Sequence, residues 1–363
     1  MLLDAGRDAD ATSFAAELAR LRPSDATLQG AIGDRFLARG RWALALPFIK
    51  VAYENTRTLP STYRYLDCLL NSTPPQLNEA ETVLRSVQDK IDTDAALLIS
   101  RAKLLAGRNR ADQARGDLAA SLRALRVDQG PQVQTWLREA QRVVPDRNEL
   151  VRIMESVERE TKVPEWVRLI RAAFLTEDDR RRAEALPIFA ELSKSATSEL
   201  VLAASIRLHG STLYRLGQYD KAVEVFAEGL KKFPTDWELN NNMAFTLSKQ
   251  LNRAADALKF AEQAVKTSPN NADSMDTLGW TQHALGKFEE AEATLRRALG
   301  LAQDPRTRVT VLTHLATTLI ERKNVTEAKA LTEEAQKLLP TVRPPDAEQK
   351  AELETLQKRI DAL

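Results

Sequence analysis

Apolar residues recur along this chain with the spacing of α-helices. They return every three or four residues, and charged residues fill the positions between them. No stretch shows the alternation of apolar and polar residues that a half-buried strand requires. Prolines, glycines and short polar turns separate the apolar segments. The pattern therefore predicts an all-α protein built from many short amphipathic helices.

A second, longer pattern repeats every 34 to 37 residues through nearly the whole chain. Its ladder positions are Ala11, Ala45, Ala80, Ala114, Leu150, Ala185, Ala222, Ala257, Ala291 and Ala328. Most are preceded, twelve residues earlier, by another small residue, namely Gly33, Cys68, Ala102, Ala173, Gly210, Gly279 or Ala316. Four residues after most of them lies a larger apolar residue, namely Ile49, Leu84, Leu118, Met154, Phe189, Phe226 or Leu295. This period indicates stacked repeats in which small residues let two helices approach closely.

The breaks between helices follow the same period. Units end at Pro23, Pro234, Pro269 and Pro340, and turns within units contain Gly40, Gly217 and Gly286. Pro47 and Pro187 come two residues after a ladder alanine, so we expect them in the first turn of a second helix. Ala244 lies thirteen residues before Ala257, which predicts one extra residue in the turn 251–253. Each unit thus consists of helix, turn, helix and stop.

Two stretches show the unit most clearly: HGSTLYRLGQYDKAVEVFAEGLKKFP (209–234) and TLGWTQHALGKFEEAEATLRRAL (277–299). In both, a small glycine, a turn glycine, an aromatic residue two positions later and the ladder alanine keep one register. The set resembles the tetratricopeptide repeat, in a multi-repeat array of bacterial type. The resemblance implies a right-handed α-solenoid, or superhelix, of about nine and a half helix-turn-helix units with a C-terminal capping helix.

The resemblance divides the chain into five segments. Residues 1–25 correspond to the second helix of a partial unit, 26–130 to complete units, 131–165 to a degenerate unit, 166–340 to complete units, and 341–363 to the capping helix. The unit is degenerate because Arg138 takes the place of a small residue. Leu353, Leu356, Ile360 and Leu363 form the apolar stripe of the capping helix, as the open end of a solenoid requires. The start in mid-repeat suggests a fragment of a longer protein.

Composition and charge reduce the classes of partner that we expect for this chain. The chain has 52 basic and 51 acidic residues, so no strong field favours a nucleic-acid partner. Its densest basic run, 180–182, is flanked by acidic residues. No stretch of about 18 apolar residues predicts a membrane span. We expect a soluble protein on the cytoplasmic or periplasmic side of a bacterial envelope, with its compartment and oligomeric state left open.

The residues that carry chemistry are few and scattered. His209, His283 and His314 lie in three different units, without the spacing of metal ligands, and no serine has a nucleophile motif. Acidic pairs such as Glu289 and Glu290 lie on the polar faces of amphipathic helices. Cys68 is the single cysteine, which excludes an internal disulfide. We therefore expect no enzymatic activity, no metal and no cofactor, and only His283 is a histidine of functional interest.

The resemblance places the binding surface on the first helices, which line the concave side of the superhelix in the family. The residues in that register are Arg207, Ser211, Tyr214, Asn241, Phe245, Lys249, Asp276, Trp280, His283, Thr313 and Thr317, with Tyr65, Lys103 and Phe174 upstream. Phe245 and Trp280 would form aromatic anchors for a partner. The alternative, that these rings only cover a neighbouring helix, stays open. In the run WELNNNMAF we expect Asp236 to cap the helix and Asn241 to face the groove.

Three functions fit this pattern. The favoured one is a scaffold that binds a peptide or protein partner in the concave groove, without chemistry of its own. An alternative is the repeat arm of a larger bacterial enzyme, or of an envelope assembly for export or polysaccharide secretion. Another is a structural spacer or self-association module.

Overall fold

The computed structural model describes residues 7–125, 130–343 and 347–363 of the chain. Within these ranges the regular structure is helical throughout, which confirms the all-α repeat array. No helix there is both long enough and apolar enough to span a lipid bilayer. The chain divides into two compact units, unit 1 (Met1–Phe174) and unit 2 (Leu175–Leu363). Of the partial unit expected over residues 1–25, residues 1–6 lie outside the described residues.

Unit 1 contains the helices up to the division, which falls inside the eleventh. They are α1 (Asp8–Leu21), α2 (Ala26–Leu37), α3 (Trp42–Thr56), α4 (Leu59–Asn71), α5 (Leu77–Arg85), α6 (Gln88–Ile91), α7 (Ala95–Gly107), α8 (Ala111–Ala124), α9 (Gly130–Val143), α10 (Arg147–Glu160) and α11 (Glu165–Glu177). Its buried residues form two core clusters, one under α1 to α7 and one under α7 to α11.

Unit 2 continues the helix pairs. Its helices are α12 (Ala185–Ser195), α13 (Glu199–Arg215), α14 (Tyr219–Lys232), α15 (Trp237–Phe245), α16 (Ala254–Thr267), α17 (Ala272–Ala284), α18 (Phe288–Leu301), α19 (Pro305–Glu321), α20 (Val325–Leu338) and α21 (Ala347–Asp361). From α12 to α20 each helix packs against the next, and the first helices of successive repeats, α13, α15, α17 and α19, also contact each other in order. The first helices therefore form a continuous layer within this unit.

The ladder positions form the interior of the repeats, as the sequence predicts. All ten are buried, with Ala11 the most exposed at 7%. The small residues face the larger ones of the paired helix: a Cβ atom on Gly210 would lie 2.2 Å from the Phe226 ring, and one on Gly279 would lie 2.6 Å from Leu295. The glycine thus leaves the space that the larger side chain fills.

The internal turns of six repeats use a left-handed residue, namely Gly40, Asn109, Gly217, Asn252, Gly286 or Lys323. Gly217 has φ of +72°, and the amide of Gln218 donates to the carbonyl of Leu213, five residues back. Between α15 and α16 the corresponding amide, of Arg253, reaches six residues back to Leu247. A π-helical turn, Thr246–Gln250, accommodates the extra residue. The prediction that it lies in the turn 251–253 is therefore wrong by a few positions.

The two prolines after ladder alanines differ in their places. Pro187 is the third residue of α12, within the first turn as predicted. Pro47 is the sixth residue of α3, so the same prediction is wrong there. The difference arises because α3 begins at Trp42, three residues before its ladder alanine, whereas a 3₁₀ turn precedes Ala185. The buried side chains around Pro47 hold α3 together despite the missing amide.

The degenerate segment 131–165 contains the pair α9 and α10. Leu150 is fully buried at the ladder position, whereas the side chain of Arg138 is 64% exposed. The interior is filled instead by Trp136, whose indole N–H donates to the Ser121 hydroxyl at 2.8 Å. The pair α9 and α10 thus keeps the repeat spacing, but Trp136 fills the space between helices that small residues close in the other repeats.

Candidate binding surface

The upstream candidate positions, in unit 1, are engaged with partners in their own unit. The Tyr65 hydroxyl donates to the Glu79 carboxylate, and the Lys103 ammonium donates to Glu139 at 2.7 Å. The Lys103 side chain is only 10% exposed. Phe174 lies under the guanidinium of Arg147, 5.3 Å from the ring centre. These three side chains therefore make their hydrogen bonds, ion pair and cation–π contact with other residues of unit 1.

In unit 2, the candidates Arg207 and Ser211 on α13 are also engaged. Arg207 pairs with Asp236 at 2.9 Å and with Glu238 at 3.2 Å. The Ser211 hydroxyl accepts a hydrogen bond from the Asn242 amide at 3.3 Å. Both contacts join α13 to α15 and so hold two successive first helices together. Arg207 and Ser211 thus contribute to packing between repeats.

The three consecutive asparagines of α15 have separate roles. Asp236 caps the helix as predicted, by accepting from the Leu239 amide at 2.9 Å. Asn240 donates to the carbonyls of Pro234 and Asp236, which ties the helix start to the preceding loop. Asn241 is buried, at 9% exposure, and its side-chain oxygen has no hydrogen-bond partner. The run therefore serves mainly the helix start and its packing.

Five candidate residues form a continuous surface across three repeats, and we call it the aromatic strip: Tyr214, Phe245, Lys249, Trp280 and His283. The ring centres of Tyr214 and Phe245 are 5.8 Å apart, and those of Trp280 and His283 are 4.8 Å apart. The Lys249 ammonium bridges the two pairs, at 5.5 Å from the Phe245 ring and 5.1 Å from the Trp280 ring. The strip combines aromatic faces with one cation.

A buried histidine positions that cation. The Nδ1 atom of His314 lies 2.9 Å from both carboxylate oxygens of Asp276, and its Nε2 atom lies 3.0 Å from the Lys249 ammonium. An ammonium can only donate, so Nε2 accepts and Nδ1–H donates to Asp276. The His314 ring also stacks on Trp280 at 4.4 Å. The sequence pattern points to Asp276 but not to His314, because nothing along the chain marks a contact between residues 65 positions apart.

His283 closes the other end of the strip. Its Nδ1 atom lies 3.0 Å from the hydroxyl of Thr318, which itself donates to the His314 carbonyl. Burial lowers the pKa of His283 from 6.5 to about 4, because a charged imidazole loses its hydration there. The ring is therefore neutral at pH 7. Across the described ranges, no three His, Cys, Asp or Glu side chains converge as metal ligands would.

Thr313 and Thr317 lie beside the strip on α19. Their hydroxyls donate to backbone carbonyls one helical turn earlier, Val309 and Thr313 respectively. Both line a cavity of about 350 Å³ together with Lys249 and Trp280. The opposite wall of this cavity is α21.

The helix α21 packs along α19 and covers the core of the last repeat. It runs parallel to α19, since Gln349 donates to the Arg306 carbonyl at 2.8 Å and Arg359 pairs with Glu321 at 2.5 Å. Its apolar stripe joins the core of the last repeat through Leu353, Leu356 and Ile360. Leu363, expected in this stripe, is 71% exposed because α21 ends at Asp361. The apolar contact therefore stops at Ile360.

A second face of α21 meets the aromatic strip. Glu352 pairs with Lys249 at 2.6 Å. One turn earlier, Glu348 receives longer hydrogen bonds, of 3.4 Å each, from the Gln250 amide and the Tyr214 hydroxyl. The repeat pattern does not point to the two glutamates or to Gln250. The sequence does show that Glu348 and Glu352 are four positions apart on a helix with an apolar stripe, a spacing that places both on one face.

Comparison with family models identifies the repeats. Two models described as tetratricopeptide repeat match residues 207–272 and residues 249–310. Together these ranges contain the aromatic strip.

Two curated proteins resemble shorter parts of the chain. The cell division cycle protein 16 homolog of Homo sapiens is 31% identical over 114 residues, which are 29% of this chain and 18% of that protein. The heat shock protein STI1 of Saccharomyces cerevisiae is 28% identical over 92 residues, which are 25% of this chain and 16% of that protein. The chain thus spans less than a fifth of the length of either relative.

Solved structures resemble the chain at lower identity. TTC0263, a thermophilic TPR protein of Thermus thermophilus, is 20% identical and covers 53% of this chain and 98% of its own, with a TM-score of 0.43. YrrB, a TPR protein with an unusual peptide-binding site, is 17% identical and covers 56% and 97%, with a TM-score of 0.38.

Proposed function

We propose that this chain, a tetratricopeptide-repeat protein, is an interaction scaffold that binds a peptide or protein partner through the aromatic strip of unit 2, without chemistry of its own. The observation that carries the proposal is the continuity of the strip. Side chains from α13, α15, the π-helical turn and α17 form one surface, although they come from three repeats. The other candidate side chains with charged groups are engaged in packing between repeats.

The composition of the strip supports this role. Tyrosine and tryptophan are the residues that contribute most binding free energy at protein interfaces, because they bury large areas with few rotatable bonds. Lys249 adds a charge that selects for an acidic partner, and His314 holds its ammonium in place. The two alternative functions, an arm of a larger bacterial assembly and a self-association module, stay predictions.

The test is capture of a partner from the native lysate by the immobilised full chain. We expect Phe245→Ala with Trp280→Ala to remove the captured protein, because the two rings supply the anchors. The control is Trp237→Ala with Phe260→Ala, which removes the same two kinds of ring at partly buried positions outside the strip. Circular dichroism should show equal helicity in both variants.

If the strip variant and the control capture the same protein equally well, the strip is not the binding surface. Loss with both variants would indicate general unfolding, and the melting curves would reveal it. Loss with the strip variant alone supports the proposal.

A further inference from the structure

The acidic face of α21 occupies the strip in the manner of a ligand. Glu348 and Glu352 are one helical turn apart, so both carboxylates point to the same side of the helix. That side meets Tyr214, Lys249 and Gln250, which belong to repeats that the apolar stripe of α21 does not contact. A helix that only capped the last repeat would need no such contact.

The receiving side is built around one buried cation. The Lys249 side chain is 11% exposed and its ammonium donates to Glu352 and His314. Burying an ammonium is costly unless a carboxylate accompanies it. Any helix that covers the strip must therefore bring an acid to this point, and α21 brings Glu352.

The π-helical turn supplies two of the three donors. Lys249 and Gln250 are its last two residues, and this repeat carries one residue more than its neighbours at this place. Turns of this kind are often found at functional sites, where they change the direction of side chains without breaking the helix. Here the turn presents an ammonium and an amide to two carboxylates one helical turn apart.

We infer that α21 is a displaceable occupant of the strip, and that the partner presents a helix of the same chemistry: two carboxylates one turn apart beside an apolar stripe. The inference rests on the proposed function, because it names the chemistry of the partner that the strip binds. The side of α21 that meets the strip makes polar contacts, and its apolar stripe packs in the core of the last repeat. A helix held on these two faces alone opens at a lower free energy than a helix packed on all faces.

Hydrogen exchange of the full chain tests whether the contact with Lys249 holds α21 on the strip. We expect Lys249→Glu to raise the exchange rates of α21 amides at least about tenfold, because it replaces an attraction with a repulsion. Lys249→Glu combined with Glu352→Lys should restore the original rates. The control is Glu354→Lys, since Glu354 is exposed and its ion pair within the described residues is a 3.8 Å pair with Lys350 on the same helix. Unchanged α21 rates in Lys249→Glu would overturn the inference.

A peptide tests the chemistry of the partner. The probe is a fluorescein-labelled peptide of residues 347–363, added to the full chain carrying Leu353→Asp and Leu356→Asp, which unseat its own α21. We expect binding by fluorescence anisotropy, and at least about tenfold weaker binding when the peptide carries Glu348→Lys and Glu352→Lys. A peptide with Glu354→Lys should bind like the original.

Equal affinity of the original and charge-reversed peptides, or no binding of either, would also overturn the inference. If the unseated chain does not fold, the exchange experiment decides alone. The two proposals fail separately: partner capture that depends on Phe245 and Trp280, together with α21 exchange that ignores Lys249, would leave the scaffold standing and remove α21 as its occupant.

Discussion

Lys249 shows how neighbouring groups fix the position of one side chain. Four groups determine its position: the rings of Phe245 and Trp280, the imidazole of His314 and the carboxylate of Glu352. Each comes from a different helix or turn. A lysine on an exposed helix surface would sample many rotamers, whereas this one is fixed by charge and hydrogen bonding.

The stability of the protein should depend on pH through His283. Its pKa is about 4 in the folded chain and about 6.5 when unfolded, so between these values only the unfolded state takes the proton. The contribution is complete above pH 6.5 and is lost as the pH falls towards 4. Between pH 7.5 and pH 4 we expect the wild type to lose about 2 kcal/mol more unfolding free energy than His283→Asn.

Urea denaturation at several pH values measures this difference. His283→Asn loses the stack on Trp280 and is less stable than the wild type at pH 7.5, but the gap should narrow on acidification. A gap that stays constant from pH 7.5 to pH 4 would contradict a depressed pKa at His283.

At the level of single residues, the sequence predicts packing better than contact chemistry. The pairing of Gly210 with Phe226 follows from a fixed spacing, because both lie within one repeat. The contact of His314 with Lys249 joins residues two repeats apart, and it depends on how successive helices stack. No local pattern contains that information, so the sequence points to His283 and not to His314.

Between elements, the helix pairs depend on the absence of side chains at defined points. We expect Gly210→Ala to destabilise the chain by about 1 to 3 kcal/mol, because the added Cβ meets the Phe226 ring, which is only 1% exposed and has no room to move. The matched control is Gly116→Ala, in the interior of α8, where no atom beyond the chain neighbours and the adjacent helix backbone lies within 4 Å of the added Cβ.

Gly116→Ala should stabilise the chain by about 0.5 to 1 kcal/mol, since alanine favours the helix. Thermal denaturation of both variants measures the two effects. Similar shifts of the same sign in both variants would show that close contact at Gly210 does not hold the helices of this repeat together.

At the element scale the repeat pattern predicts helices and their partners, but not the first residue of each helix. Like most second helices, α3 begins three residues before its ladder alanine, which places Pro47 in the helix interior, whereas α12 begins at Ala185 and keeps Pro187 in its first turn. The extra residue near Ala244 is visible in the sequence, but its place is not. A π-helical turn and a longer loop add the same number of residues, and the choice depends on the side chains that α15 buries.

At the scale of the whole chain, charge decides which partners are attracted. The net charge is +1, and in the basic run Arg181 and Arg182 pair with Glu184 and Asp179. We expect the chain to bind a random DNA duplex of about 20 base pairs more weakly than about 100 μM at about 0.15 M salt. Arg180→Ala with Arg182→Ala should not change the result, and submicromolar binding by fluorescence anisotropy would contradict it.

The π-helical turn has a consequence for how this repeat can vary. Deletion of a single residue within 246–250 would reduce the sequence separation of Ala244 and Ala257 to the common value of twelve. Every ladder position would keep its place within its repeat. Residues on one side of the lost position would rotate by about 100° relative to the other side. The sequence of the repeat would then match the common pattern more closely, but the Lys249 ammonium would no longer face the carboxylate of Glu352.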